Sequence, residues 1–452
     1  MPAPARASPR VLTVAVAASV AVAFADSSIV VLALPDLYLE LGTSIPGIAW
    51  VITSYNVVVA VGAFVLLALA RRLRTRAMLR IGFVLFLAAS VGCALAAGLT
   101  MLVAFRCLQG LGGALVLVGS LPLLAGLTGS PSRGAVVWTA AGTLGAALGP
   151  ALGGLLTELF TWRAIFVAQA PMAGVAFLAA FGPHLADVPA EPDEPHERPS
   201  LAASLGIGLV FGALVGALFL AVLMLVAVWG LSPLAAAGVV SAVPVATLAV
   251  RPLSAALPPR LGVAGGAALL AGGLVALALL PATSEALAAL ALALCGAGLG
   301  LAVPVLSHAT ISPGHGLTRS GAWSIGARHA GLVLALVLVA PLLAHDLERG
   351  GDRATLAGTA VILDAPLPLS KKIPIALDLR NAFDEAQQGE IPDLSQPFER
   401  HGAASLRSTR ADLLGSIEDA LTRSFRSSFA LSALLAALAL APLFFIRRLE
   451  LR

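Results

Sequence analysis

The sequence predicts an all-α polytopic membrane protein, and three observations carry that prediction. Of its 452 residues, 59% are hydrophobic and only 12% charged, against roughly 45–50% and about 25% in a soluble domain. The apolar residues gather in blocks of about 20, the length that crosses a hydrocarbon layer of about 30 Å. Arginines collect in alternate connections between those blocks, as they do where charge sets orientation across a bilayer.

Twelve spans follow, near 11–33, 48–70, 77–97, 101–126, 134–157, 163–181, 202–227, 233–253, 262–281, 286–307, 322–344 and 427–446. With the N-terminus inside, the inner connections hold Arg71, Arg72, Arg74, Arg76, Arg80, Arg133, Arg251, Arg260 and Arg319, whereas the short outer loops hold only Arg163. Both termini are therefore expected on the cytoplasmic side. The N-terminus imitates a secretory signal peptide, but Asp26 lies in the same block and the chain continues as further spans, so cleavage is not expected. The formal charge of +4 follows topology and is not gathered on a soluble face, which argues against nucleic-acid binding.

Residues 1–181 thus form one six-span unit. The Pro-rich, acidic stretch 182–200 reads as a cytoplasmic linker, and 201–344 carries spans seven to eleven. Residues 345–426 contain ten Lys or Arg and thirteen Asp or Glu, too many charges for the bilayer, so they form an extracytoplasmic insertion before the last span and tail at 427–452. Within it, Ile375, Leu379, Ala382, Phe383 and Ala386 recur at helical spacing, as do Leu413, Leu414, Ile417, Leu421 and Phe425. Two readings stand for this insertion: a small helical cap on the outer mouth, or a gate or docking module for an extracytoplasmic partner. ALARRLR (68–74) and ALPPRLG (256–262) occupy equivalent places in the two halves, the kind of repetition seen where a substrate path runs between two repeated units.

Three formal charges lie well inside spans: Asp26, Arg106 and Arg328. Such charges face the bundle interior, because lipid cannot solvate them. Asp26 and Arg106 belong to the same half, and facing one polar cavity, directly or through water, would satisfy both. Arg stays protonated, so Asp26 is the candidate proton carrier and Arg106 the fixed charge beside it; the alternative is a static pair that only locks two helices together. In the second span Tyr55 and Asn56 either line a cavity or bond to adjacent helices. His329 follows Arg328, and neighbours in a helix point about 100° apart, so the two need not share a cavity. Gly145, Gly149 and Gly153 recur every four residues in GTLGAALGPALGGLL (142–156), a small-residue face that lets helices approach closely, with Pro150 removing a backbone donor. Gly110, Gly112, Gly113 and Ala114 give the fourth span a similar surface. The seven histidines never fall at metal-site spacing. Cys93, Cys107 and Cys295 all lie inside spans and read as free thiols.

These residues resemble the major facilitator superfamily, and within it the bacterial drug:proton antiporters. DSSIVVLALP (26–35) is similar to that group's first-span motif and WVITSYNV (50–57) to its second. The fourth-span pattern is met by Arg106, Gln109, Gly110, Gly112, Gly113 and Ala114. The fifth-span antiporter motif is met by Gly145, Gly149, Pro150, Gly153 and Gly154, followed by TWRAIFVAQAP (161–171). The resemblance covers nearly all the membrane part and excludes 345–426. It implies two pseudo-symmetric six-helix bundles, a bacterial inner-membrane location and proton-coupled efflux of hydrophobic or amphipathic small molecules by alternating access. The proton gradient would supply the energy, with no cofactor and no catalysis. Asp26 and Arg106 would couple to protons, while Tyr55, Asn56, Gln109, Arg328 and His329 would line the substrate cavity. One departure stands out: LALARRLRTRAMLRIG (67–82) places Arg71 where the family carries an Asp that helps hold the halves together. Two other readings fit the same fold, a lipid or lipid-conjugate exporter and a non-transporting sensor or scaffold.

Overall fold

The computed structural model describes residues 8–70, 72–170, 200–281, 283–311, 316–365, 367–385 and 407–444. Among these, eleven helical segments are long and apolar enough to cross a membrane. The span placed at 163–181 is described only as a helix over 163–170, here α7. Its remainder, Arg71, the linker at 182–199 and the tail after 444 lie outside the described residues.

The first half comprises α1 (Pro9–Ile29), α2 (Leu34–Leu41), α3 (Ile45–Leu69), α4 (Thr75–Ala94), α5 (Leu99–Thr128), α6 (Pro131–Leu159) and α7. The second comprises α8 (Leu201–Val222), α9 (Pro233–Val240), α10 (Ala242–Ala249), α11 (Arg251–Ala256), α12 (Pro259–Ala278), α13 (Glu285–Thr310), α14 (Leu317–Asp364), α15 (Leu369–Glu385), α16 (Arg407–Arg423) and α17 (Arg426–Leu438). Serine caps start many spans. Ser44, Ser130, Ser200, Ser232 and Ser284 each accept a hydrogen bond from the backbone N–H three residues on, satisfying a donor that the first turn would leave open. Large apolar side chains such as Val61, Ile81, Val84 and Leu290 point outward and are about half exposed or more, as a lipid-facing belt requires.

Prolines shape two departures from the expected spans. The first extends to Leu41, because the helix pauses in a 3₁₀ turn at Val31–Ala33 before Pro35 starts α2. The eighth is three short helices, since Pro244 and Pro252 each lack the N–H that would continue the previous one. By contrast α6 runs unbroken through Pro150.

In the insertion, the helix that carries the eleventh span runs on past Ala344. It continues as one 48-residue helix to Asp364, about 72 Å at 1.5 Å per residue, far more than the bilayer needs. Beyond the membrane its buried face is Leu347, Gly350, Ala354, Gly358 and Ile362, spaced at three and four residues but built partly of glycine and alanine, so hydropathy alone passes it over. Ile375 and Leu379 of α15, with Leu413, Ile417 and Leu421 of α16, are buried against this face in one apolar cluster. The described part of the insertion is thus a helical stem continuous with the last two spans, while Leu414 is 39% exposed. Phe383 and Ala386 lie outside the side chains described.

The glycine face of α6 meets α1. A Cβ on Gly145 would stand 2.0 Å from the Ala21 carbonyl oxygen, and one on Gly153 1.9 Å from that of Ile29. On its other side Gly154 abuts the Pro233 carbonyl of α9, so α6 touches both halves. Gly153→Ala is therefore expected to destabilise the purified protein by about 1–3 kcal/mol, the cost of overpacking a tight contact, measured by SDS-unfolding titration. Gly272→Ala, with nothing within 4 Å of its added carbon, should leave the midpoint unchanged.

Candidate functional site

Arg106 and Asp26 meet directly. Both are fully buried, with Arg106 NH1 donating to Asp26 Oδ2 at 2.5 Å. The guanidinium also donates from NH2 to the Asp26 carbonyl at 3.3 Å, from Nε to the Val51 carbonyl at 2.8 Å and from NH1 to Gln109 Oε1 at 2.7 Å. One cation thus ties α1, α3 and α5 together. Tyr55 lies 4.5 Å beneath the guanidinium carbon and donates its hydroxyl to the Ala23 carbonyl at 2.9 Å.

Gln109 is held in turn by its amide, which donates to Ser90 Oγ at 3.0 Å and to Gln169 Oε1 at 2.8 Å. Asp26 Oδ1 lies outside the ion pair and makes no hydrogen bond of ordinary geometry, with the Gln169 side chain close enough to act on the same carboxylate.

A second polar chain starts one residue along α1. Ser27 donates to Asn56 Oδ1 at 3.1 Å, and Asn56 Nδ2 donates to the Ile52 carbonyl at 2.8 Å, which fixes the amide's orientation. His329 Nδ1 stands 2.6 Å from the same Oδ1, so Nδ1 carries the proton in that contact. Its Nε2 has no partner. This chain joins α1 and α3 of the first half to α14 of the second.

Arg328 and His329 both border a small cavity of about 20 Å³, room for about one water molecule, together with Phe24, Ser27, Ser28 and Phe211. Their different directions along α14 do not separate them, because the cavity lies between α1, α8 and α14. Close backbone contact brings α14 there: a Cβ on Gly331 would stand 1.9 Å from the Gly208 carbonyl of α8. Arg328 is caged by the rings of Phe24, Trp138 and Phe211, at 5.3, 5.6 and 4.8 Å from its guanidinium carbon. Its NH2 donates to Ser307 Oγ at 2.6 Å.

A larger cleft of about 280 Å³ lies between α6 and α10/α13, on the side of the arginine-rich connections. It is lined by Val136, Thr143, Leu248, Leu299 and Ser307, among others. On the opposite flank the halves are in contact, with Phe64 and Trp323 edge to face at 5.7 Å. At the other membrane face Glu40 binds Arg163 at 2.8 Å and accepts from Trp162 at 2.6 Å.

Of the residues named from the sequence, Asp26, Arg106, Tyr55 and Gln109 form one cluster, and Arg328 with His329 another, with Asn56 between them. Tyr55 and Gln109 surround the ion pair and are not on the cavity. Asp26 and Arg106 face each other within protein and line neither cavity. Ser27, Ser90, Gln169 and Ser307 were not singled out by the sequence, and neither were the three rings around Arg328. Gln169 alone carried a usable signal, a lone amide in an apolar run. The conformational glycines all lie on α6, against α1 and α9. Among the described residues no group of three or more His, Cys, Asp or Glu could hold a metal.

Comparison with known proteins agrees with this architecture. The chain is 37% identical over 152 residues to the multidrug resistance protein Stp of Mycobacterium tuberculosis (strain CDC 1551 / Oshkosh), which is 33% of this chain and 28% of that protein. It is 31% identical over 172 residues to the drug efflux pump JefA of the same strain (37% and 34%), and 33% identical over 159 residues to the methylenomycin A resistance protein of Bacillus subtilis (strain 168) (34% and 34%). The matched stretches thus span about a third of these relatives. In structure the chain is similar to a bacterial homolog of the human lysosomal transporter Spinster in an inward-facing, occupied conformation, with a TM-score of 0.64 at 17% identity over 96% of both chains. It is also similar to a D-xylose–proton symporter, with a TM-score of 0.58 at 14% identity over 73% of this chain and 89% of that one. The profile of the Major Facilitator Superfamily matches residues 16–343, and the chain belongs to that superfamily of multi-pass membrane transporters.

Proposed function

We propose that the protein exports small amphipathic molecules in exchange for protons by alternating access. The observation that carries this reading is the fully buried pair of Asp26 and Arg106, a titratable carboxylate held against a cation that does not deprotonate. The names of the efflux relatives support it, as does the arginine distribution; cytoplasmic termini and an inner-membrane location are part of the same proposal.

Charged, Asp26 fastens α1 to α5 through Arg106. A proton arriving at the carboxylate removes the charge that Oδ2 presents to NH1, and Arg106 keeps only neutral acceptors: Val51, Gln109 and the Asp26 carbonyl. The grip of α5 on α1 weakens. Because α6 is wedged against α1 by Gly145 and Gly153 and against α9 by Gly154, a shift of α1 passes to the contact between the halves. The chain from Ser27 through Asn56 to His329 links that same helix to the cavity beside Arg328. With Arg71 at the family's usual Asp position, contacts such as Phe64 with Trp323 take over part of holding the halves. The driving force is adequate: one charge moving through 100 mV yields about 2.3 kcal/mol, roughly a fifty-fold gradient.

Two outcomes test this. In proteoliposomes with an imposed pH gradient, Asp26→Asn is expected to abolish uphill export of an amphipathic dye while retaining downhill counterflow; uphill export at the wild-type rate would remove Asp26 from the mechanism. Arg106→Met leaves a buried carboxylate without its cation, and the SDS-unfolding titration should show a loss of about 3–5 kcal/mol. The double variant Asp26→Asn/Arg106→Met should recover part of that loss.

A further inference from the structure

We infer that the cargo site is an anion site: Arg328 receives the single negative group of an amphipathic molecule whose apolar body lies in the cleft between α6 and α10/α13. The inference rests on the transport reading only for calling the occupant cargo, since it concerns equilibrium binding.

Of the two arginines set deep in spans, Arg106 has a carboxylate, and among the described residues Arg328 has none. It is 1% exposed. Its Nε and NH1 have no hydrogen-bond partner, and its one hydrogen bond goes to the neutral hydroxyl of Ser307. Three aromatic faces surround the cation, which offsets part of its lost hydration but accepts none of its directed N–H bonds. Unfilled N–H donors on a buried guanidinium are what a carboxylate or phosphate oxygen would fill, pairing with NH2 as well once Ser307 gives way.

Ser307 connects this group to the larger cleft: it accepts from Arg328 and is one of the residues lining that cleft, so a ligand oxygen that takes the place of the hydroxyl reaches the guanidinium. The cleft wall supplies apolar surface from Val136, Leu144, Leu248 and Leu299, suited to a body of naphthalene size. The space beside Arg328 now has room for about one water, so binding displaces Ser307 and opens the cage. A cationic ligand finds no countercharge there: the nearest buried carboxylate, Asp26, is already bound by Arg106.

The test is calorimetric titration of full-length protein in phosphatidylcholine nanodiscs with 2-naphthoate, methyl 2-naphthoate and 2-naphthylmethylamine. Wild type is expected to favour the carboxylate over both by at least about tenfold, the scale of one charge-assisted hydrogen-bonded pair. Arg328→Gln should erase the preference and Arg328→Lys should keep part of it. Ester or amine binding as tightly as the carboxylate in wild type overturns the inference, and so does a preference that survives Arg328→Gln. If Arg328→Gln does not yield folded protein, the wild-type series decides alone. Replacing half the phosphatidylcholine with phosphatidylglycerol separates the sources: competition assigns the site to an anionic headgroup, and no competition to a soluble amphiphile. Asp26→Asn should retain the preference, so a failure of proton coupling and a failure of the anion site are read separately.

Discussion

An arginine can be kept at the depth of the fourth span only if the protein itself supplies what water would have supplied. Asp26 provides the charge, and the Val51 and Asp26 carbonyls and Gln109 provide the directed acceptors. Removing one partner from such a pair leaves an uncompensated charge, whereas the intact pair is nearly balanced between desolvation and attraction. That balance makes the pair poor glue and a good switch, because a single proton changes which side of it wins. The helices that must respond are those it joins, and α1 is also the helix against which α6 is packed most closely.

The second half solves the same problem differently. Arg328 has rings on three sides and one neutral hydroxyl in place of a carboxylate. The first half therefore holds a cation paired with a carboxylate and the second a cation without one among the described residues, with Ser27, Asn56 and His329 strung between them. A division of labour follows, in which one half binds the proton and the other presents donors to the ligand. The chain of Ser27, Asn56 and His329 begins one residue after Asp26 and ends one residue after Arg328, so occupancy of either site bears on the packing of α1 against α14.

Much of this was legible in the residues. Blocks of about 20 apolar residues located the spans, and the scarcity of intramembrane charge singled out Asp26, Arg106 and Arg328 as groups that had to face the interior. The i, i+4 glycines of α6 announced a close helix contact but could not name the partner as α1, because period carries no information about which helix lies opposite. The helical periods at 375–386 and 413–425 overlap the helices α15 and α16, yet the face of α14 that these pack on has glycine or alanine at three of its five buried positions and was lost to hydropathy. The aromatic cage was invisible for another reason. Phe24, Trp138 and Phe211 lie on three different helices, and nothing in a linear sequence brings them to one cation.

The central claim is that the Asp26 carboxylate gains and loses a proton while its arginine stays charged, and infrared difference spectroscopy reads this directly. Purified protein in lipid is titrated through the physiological pH range, and the C=O stretch of a protonated carboxylic acid is followed in wild type and in Asp26→Asn. The account predicts a titrating band in wild type that is absent from the variant and that shifts in position when Gln109→Ala disturbs the pair. A band unchanged by Asp26→Asn, or no titrating carboxylic acid at all, would contradict it and leave the buried pair a fixed structural tie.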